Sequence, residues 1–185
     1  YIKSYVSISN AFNGADERSF DSVPSVFKQV YKDNINENHL RVSTSYNEKF
    51  NAKSTLNVGV IYTQSYFDMK AVATKFSGVS ETFISDKGNG GIVQGYGSWK
   101  YRIKENVTLV SGIHYTQLLF NNKNSIEPRA GLRWNLNERQ YLTFGTGLHS
   151  KVENSSVYFA NTSNDASKME NANKNLELTK AAHFV

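Results

Sequence analysis

The chain has 185 residues and a net charge of +5, with 39% apolar, 20% charged and 13% aromatic residues. Because it contains no cysteine, disulfide scaffolds, thiolate-bound zinc or iron–sulfur sites and cysteine nucleophiles are excluded. A mean hydropathy of −0.51 and the lack of a long apolar run exclude a transmembrane helix. The chain opens at Tyr1 without a charged-then-apolar leader, which favours a mature chain or an excised piece.

Apolar and polar residues alternate with a period of two along most of the chain, which predicts strands rather than helices. We predict eight strands, each end uncertain by about two to four residues: 2–9, 39–47, 54–67, 92–103, 107–120, 125–136, 140–149 and 177–184. Several run about eleven to fourteen residues, longer than the roughly five to six of soluble strands. Such length favours strands that cross a membrane at a tilt, which takes roughly 9–11 residues.

The connections between these strands alternate between short and long. Short polar turns with a preceding aromatic residue lie at 46–51, 101–106 and 134–139. The other connections are the segments 10–38, 68–91 and 151–175, which are long and polar, and the shorter 120–125. A weak helical spacing of apolar residues over 23–32 predicts a short helix in the first of them. Long loops at one end and tight turns at the other are typical of an outer-membrane barrel.

The stretch Ile126–Leu136 shows the clearest alternation. Its even-numbered residues form an apolar face, and its odd-numbered residues include Glu127, Arg129 and Arg133. These three are the candidate site residues. They either line a lumen and contact a plug or a charged ligand, or form an inward ion-pair network, which we favour. Pro128 cannot donate a ladder hydrogen bond and predicts a local irregularity.

Other chemistry finds little support in the sequence. The four histidines lack the spacing of a helical zinc motif, and no nucleophile elbow, P-loop or dinucleotide fingerprint is present. The basic residues are scattered, so we expect no nucleic-acid binding. We therefore expect neither an enzyme nor a metal or cofactor site.

Three segments together carry a family resemblance: 125–134, with Glu-Pro-Arg; 141–150, a glycine–aromatic strand; and 175–183, with Asn-Leu and Ala-x-His. They resemble consecutive strands of TonB-dependent receptors of the bacterial outer membrane, particularly the Bacteroidetes type. The resemblance implies a transporter of about 22 strands with a plugged lumen. It takes up a scarce ligand with energy delivered through TonB. The implied partners are outer-membrane lipid, the TonB system through the plug region, and a surface lipoprotein.

The prediction is thus one β unit over 1–185, all-β, an antiparallel meander that forms part of a transmembrane β-barrel and lacks the plug domain. Two alternatives stay open. One is a small complete outer-membrane barrel in adhesion or membrane stability, and the other is a soluble β-sandwich that binds glycans or proteins. The sandwich would seal Ile126, Leu132 and Trp134 inside while Arg129 and Arg133 faced bulk water.

Overall fold

A computed structural model describes residues 1–22, 25–74, 78–159 and 173–185, with the backbone alone at 21, 22, 25–27 and 83. These residues form eight strands and one helical turn, α1 (Ser155–Tyr158). The strands are β1 (Ile2–Ser22), β2 (Ser25–Lys49), β3 (Ser54–Thr74), β4 (Ser80–Lys104), β5 (Val107–Leu118), β6 (Asn124–Asn135), β7 (Tyr141–Lys151) and β8 (Thr179–Phe184). Each strand pairs antiparallel with the next, so the sheet order follows the chain order. The predicted all-β antiparallel meander of about eight strands is confirmed. Across the described ranges, no helix is both long and apolar enough to traverse a bilayer.

Two of the predicted long loops are wrong, because the strands continue through them as paired hairpins. The ladder between β1 and β2 runs from Ile2 opposite Tyr46 to Ser22 opposite Ser25. Side-chain amides reinforce it, since Asn10 Nδ2 donates to Oδ1 of both Asn36 and Asn38 at 2.8 Å. The apolar base of the sheet sets the register, and the polar residues beyond it extend the ladder because pairing satisfies their backbone groups. The segment 68–91 is likewise a hairpin, from β3 into β4.

The short helix predicted over 23–32 is also wrong for its described part, since 25–32 belongs to β2. Gln29, Tyr31 and Lys32 lie opposite Arg18, Glu17 and Asp16 of β1, so pairing satisfies their backbone groups. Val30, between them, is the extra residue of a β-bulge. Val23 and Pro24 lie outside the described residues. In the second half of the sheet, β5 to β8 match the predicted strands to within two residues at each end.

The irregularity predicted at Pro128 is wrong as well. Pro128 lies directly opposite Ile113, and the ladder between β5 and β6 passes it without a shift in register. The ladder between β6 and β7 begins only at Arg129. Pro128 therefore has a strand partner on one side only, and proline is tolerated at such an edge because its missing N–H breaks no ladder bond there.

The register gathers apolar side chains from all eight strands on a single face of the sheet. We call it the apolar face. It includes Ile2, Val6, Ile8, Leu40, Val42, Tyr46, Leu56, Val58, Val60, Tyr62, Val93, Trp99, Tyr101, Leu109, Ile113, Tyr115, Ile126, Ala130, Leu132, Trp134, Leu142, Phe144, Leu148 and Phe184. On β6 it extends from Ile126 to Trp134, about 26 Å along the strand at 3.3 Å per residue. The opposite side, the polar face, carries residues such as Arg41, Gln94, His114, Glu127 and Arg129.

The apolar face is uncovered. Ile126 is 58% exposed and Trp134 is 42% exposed, while Leu132 is partly buried. Nothing in the described part of the chain seals these residues into a sandwich. The apolar character ends beyond Leu40 and Tyr62, where the same face continues up the hairpins with Asn38, Asp68 and Lys87 among others.

The compact hydrophobic cluster of the described residues lies on the other side of the sheet. It sits on the polar face at the level of the hairpins and comprises Phe67, Met69, Ala71, Ile84, Leu118, Tyr158, Phe159 and Leu178. Tyr158 and Phe159 come from the connection between β7 and β8, which folds back over the sheet. The core is therefore built from a connection packed on a sheet, and the apolar face takes no part in it.

A pair of engineered cysteines tests the first hairpin. Asn10→Cys with Asn38→Cys should form a disulfide, because residues directly opposite in an antiparallel pair hold their Cβ atoms about 4.5–5.5 Å apart, close to disulfide range. The natural chain has no cysteine to interfere. The matched control, Asn10→Cys with Asn34→Cys, is displaced by four residues, about 13 Å along the strand. Electrophoretic mobility with and without reductant is the measurement. Equal cross-linking of both pairs, or none of the first, would mean that 10–38 is a loop.

Candidate functional site

The candidate site on the polar face centres on Glu127, a carboxylate that is 2% exposed. Arg129 Nη2 donates a hydrogen bond to its Oε2 at 2.5 Å, and Ser150 Oγ donates to its Oε1. His114 Nδ1 lies 3.4 Å from Oε2. Three neighbouring strands, β5, β6 and β7, thus contribute to one buried acidic group.

Strand geometry explains why these side chains lie close to Glu127. Arg129 follows Glu127 by two residues, so both side chains leave the same face of β6. His114 is directly opposite Glu127 in the ladder between β5 and β6. Ser150 reaches the carboxylate from β7, above the point where the ladder between β6 and β7 stops at Gly147.

The chemistry of this cluster is that of a structural ion network. A buried carboxylate is tolerated when hydrogen bonds and a cation compensate for the water that it has lost. The Arg129 side chain remains 45% exposed, so one end of the pair is hydrated. His114 Nδ1 is buried and makes no hydrogen bond of good geometry with the described residues, and Glu127 Oε2 lies 3.4 Å from it. The arrangement joins three strands and leaves Arg129 available to a ligand.

The third predicted residue, Arg133, is not part of this cluster. It lies six residues from Glu127 on the same strand, about 20 Å away along β6. Its Nε donates to Asn135 Oδ1 at 3.0 Å, and its guanidinium carbon lies 4.2 Å from the centre of the Tyr141 ring. The structure therefore brings together Glu127 and Arg129 and leaves Arg133 near the turn end of the sheet. That these three residues face a channel stays a prediction.

Sequence reasoning missed the partners that other strands supply. It found only that the histidines lack the spacing of a zinc motif. In the structure His114 contacts Glu127, and the rings of His149 and His183 meet edge to face with 4.8 Å between their centres. Each histidine occupies a polar position in its strand, which was the available signal. Their neighbours depend on register between strands, which one sequence does not reveal. Among the residues that the structure describes, no three histidine or acidic side chains are grouped so as to hold a metal ion.

The connection after β7 covers part of the polar face. We call Val152–Phe159 and Asn173–Leu178 the covering segment. Phe159 packs on Phe67 with 4.5 Å between ring centres, and Tyr158 meets Phe120 edge to face at 5.0 Å. On the far side, Asn121 Nδ2 donates to the backbone oxygens of Lys174 and Leu176.

Hydrogen bonds fix the start of the covering segment. Thr179 Oγ1 donates to Glu153 Oε1 at 2.8 Å, and Lys151 Nζ lies 3.1 Å from Oε2. These two donors, Thr179 first, hold the pKa of the Glu153 carboxyl below its usual value. Burial raises the pKa of the Tyr158 hydroxyl above its usual value.

A pocket of about 220 Å³ remains between the covering segment and the sheet. Its walls combine the aromatic rings of Phe67, Phe120 and Tyr158 with polar groups. On the polar wall, His39 Nδ1 lies 2.8 Å from Ser65 Oγ, and its Nε2 lies 3.5 Å from a Glu37 oxygen. Sites for whole small-molecule ligands usually measure about 300–1,000 Å³. This pocket can therefore hold one group of a ligand but not a large molecule.

Comparison with known proteins adds nothing to this geometry: no family model, no curated protein and no solved structure matches the chain.

Substitution of the central carboxylate tests the ion network. Glu127→Gln should lower the free energy of unfolding by about 1–3 kcal/mol, because Arg129 and His114 lose a charged partner in a buried setting. The matched control is Glu138→Gln in the exposed turn between β6 and β7, which should change it by less than about 0.5 kcal/mol. Urea unfolding followed by tryptophan fluorescence in detergent micelles gives both values. Equal effects of the two substitutions would contradict a structural role for Glu127.

Proposed function

We propose that this chain is part of a TonB-dependent outer-membrane receptor, a transporter that takes up a scarce ligand through a plugged barrel. The observation that carries the proposal is the uncovered apolar face across all eight strands, backed by a polar face that holds a buried charge network. This arrangement is inside-out relative to a soluble domain. It suits a sheet with lipid on one side and an enclosed polar space on the other.

The energetics favour lipid as the cover of the apolar face. Soluble monomers rarely expose contiguous apolar patches larger than a few hundred Å². A sandwich would bury this face against a second sheet about 10 Å away, and the described residues supply no such sheet. The apolar extent of about 26 Å along β6 compares with an outward apolar band about 25 Å tall in outer-membrane barrels.

Aromatic residues at the two limits of the apolar face also support a bilayer. Tyr46, Trp99, Tyr101 and Trp134 lie at the turn end, and the Trp99 and Tyr101 rings are in contact with 5.3 Å between their centres. Tyr62, Tyr66 and Tyr115 lie at the opposite limit. Amphipathic rings gather at membrane interfaces because one end of each is apolar and the other is wet.

The open edges of the sheet favour a large barrel over a small complete one. An eight-stranded barrel requires β1 to pair with β8, and within the described ranges these strands pair only with β2 and β7. In a larger barrel, further strands continue the sheet at both edges and satisfy the unpaired backbone groups.

The proposed mechanism follows from the two ends of the sheet. The long polar hairpins, β1–β2 and β3–β4, extend past the apolar face and would meet the ligand outside the cell. The ligand then passes along the polar face through the plugged lumen, with energy supplied by the TonB system. The proposed location is the bacterial outer membrane, the proposed partners are its lipids and a surface lipoprotein, and the chain has no catalytic role.

Intrinsic fluorescence tests the membrane setting. The chain has two tryptophans, Trp99 and Trp134, and both lie on the apolar face near the turn end. In phosphatidylcholine vesicles their emission should be blue-shifted, and bromines near the headgroups should quench it more strongly than bromines near the bilayer centre. Trp99→Phe and Trp134→Phe separate the two signals. Emission like that of tryptophan in water, unquenched by either lipid, would refute the proposal.

A further inference from the structure

Positive charge dominates the part of the polar face that lies directly behind the apolar face, between the turns and the long hairpins. The cations there, besides Arg129, are Lys3, Arg41, Lys49, Lys100, Arg102 and Arg133. Among the described residues, Glu127 is the one carboxylate on that part of the polar face, and it is already bonded to Arg129 and Ser150. Glu48 lies on the apolar face and accepts a hydrogen bond from Tyr46. None of the six cations has a carboxylate oxygen within 4 Å among the described residues.

Several of these cations form an ordered row near the turn end. In the register of the sheet, Thr55 lies between Lys49 and Lys100, and one step nearer the turns Thr108 lies between Arg102 and Arg133. We call these six residues the cation–threonine row. Neighbouring strands are about 4.8 Å apart, so each threonine hydroxyl has a cation about 5 Å away on either side at the level of the backbone.

The lysines and arginines of the row can only donate hydrogen bonds, and the two threonine hydroxyls can donate or accept. Arginine and lysine carry no acceptor atoms, and carboxylate, phosphate and sulfate oxygens are their usual partners. The two cations of each pair flank one threonine and repel each other across it, so an anion seated on that threonine would lie between them and relieve the repulsion. Arg133 is already oriented by Asn135 and Tyr141, which lowers the entropy lost when it binds.

We propose that the cation–threonine row binds anionic ligands, small molecules that carry carboxylate, phosphate or sulfate groups. This inference rests on the proposed function, because an enclosed space beside a low-dielectric membrane concentrates the field of charges of one sign. The row spans β2 to β6, about 19 Å at 4.8 Å per strand. That length matches a small polyanion, whereas a stable protein partner needs about 800 Å² of surface on each side.

A fluorescent pyrene trisulfonate serves as the probe, with binding measured by anisotropy to the chain in zwitterionic micelles. Arg102→Gln with Arg133→Gln should weaken binding roughly two- to thirtyfold, since each exposed charge pair contributes about 0.2–1 kcal/mol. Arg102→Lys with Arg133→Lys should retain most of the affinity because the charges remain. The matched control, Lys70→Gln with Lys87→Gln, removes two charges from the opposite face and should leave binding within twofold. Inorganic pyrophosphate should displace the probe, and added salt should weaken it.

The outcomes separate this inference from the function on which it rests. Absence of probe binding, or equal weakening by the Arg102/Arg133 and Lys70/Lys87 variants, would overturn the anion site. If the tryptophans of the same chain were still quenched by brominated lipid, the membrane proposal would stand without it. If tryptophan emission were that of water, the membrane proposal would fail, whatever the probe did.

Discussion

The structure depends on one constraint: at the base of the eight-stranded meander most apolar side chains lie on one face, and nothing in the described part of the chain covers that face. A single sheet can bury an apolar face only against another layer, and the described chain supplies none. Lipid, further protein or a second sheet must complete the fold. In the proposed barrel, lipid covers this face. A sandwich would seal Ile126 and Trp134 inside, and in the described structure both are exposed.

The polar face, in contrast, contains buried groups. Its central carboxylate, Glu127, is buried by neighbours that neutralise and hydrogen-bond it, and its aromatic cluster is made by the covering segment. Both features lie on the face that the alternation of apolar and polar residues predicts to be hydrophilic. Polar groups that are partly dehydrated need paired charges and local apolar contacts, and in the proposed barrel this face would line the enclosed polar space.

The fold also changes how the charge of the chain is distributed. A net charge of +5 is modest when averaged over the sequence. The register collects several of the cations on one face near the turns and leaves them without acidic partners in the described sheet, while acidic residues such as Asp68 lie elsewhere. Pairing between strands therefore gathers cations that are scattered in the sequence onto one face of the sheet.

The sequence by itself determined the strands at the base of the sheet, their alternation and their order, because a period of two and turn residues are local signals. It also identified Glu127 and Arg129, since neighbours two apart on one strand share a face. Only the tertiary structure decided that the polar segments 10–38 and 68–91 continue as hairpins, and that His114 and Ser150 join Glu127. Polar residues extend a ladder only when a partner strand offers the register, and that partner is distant in sequence.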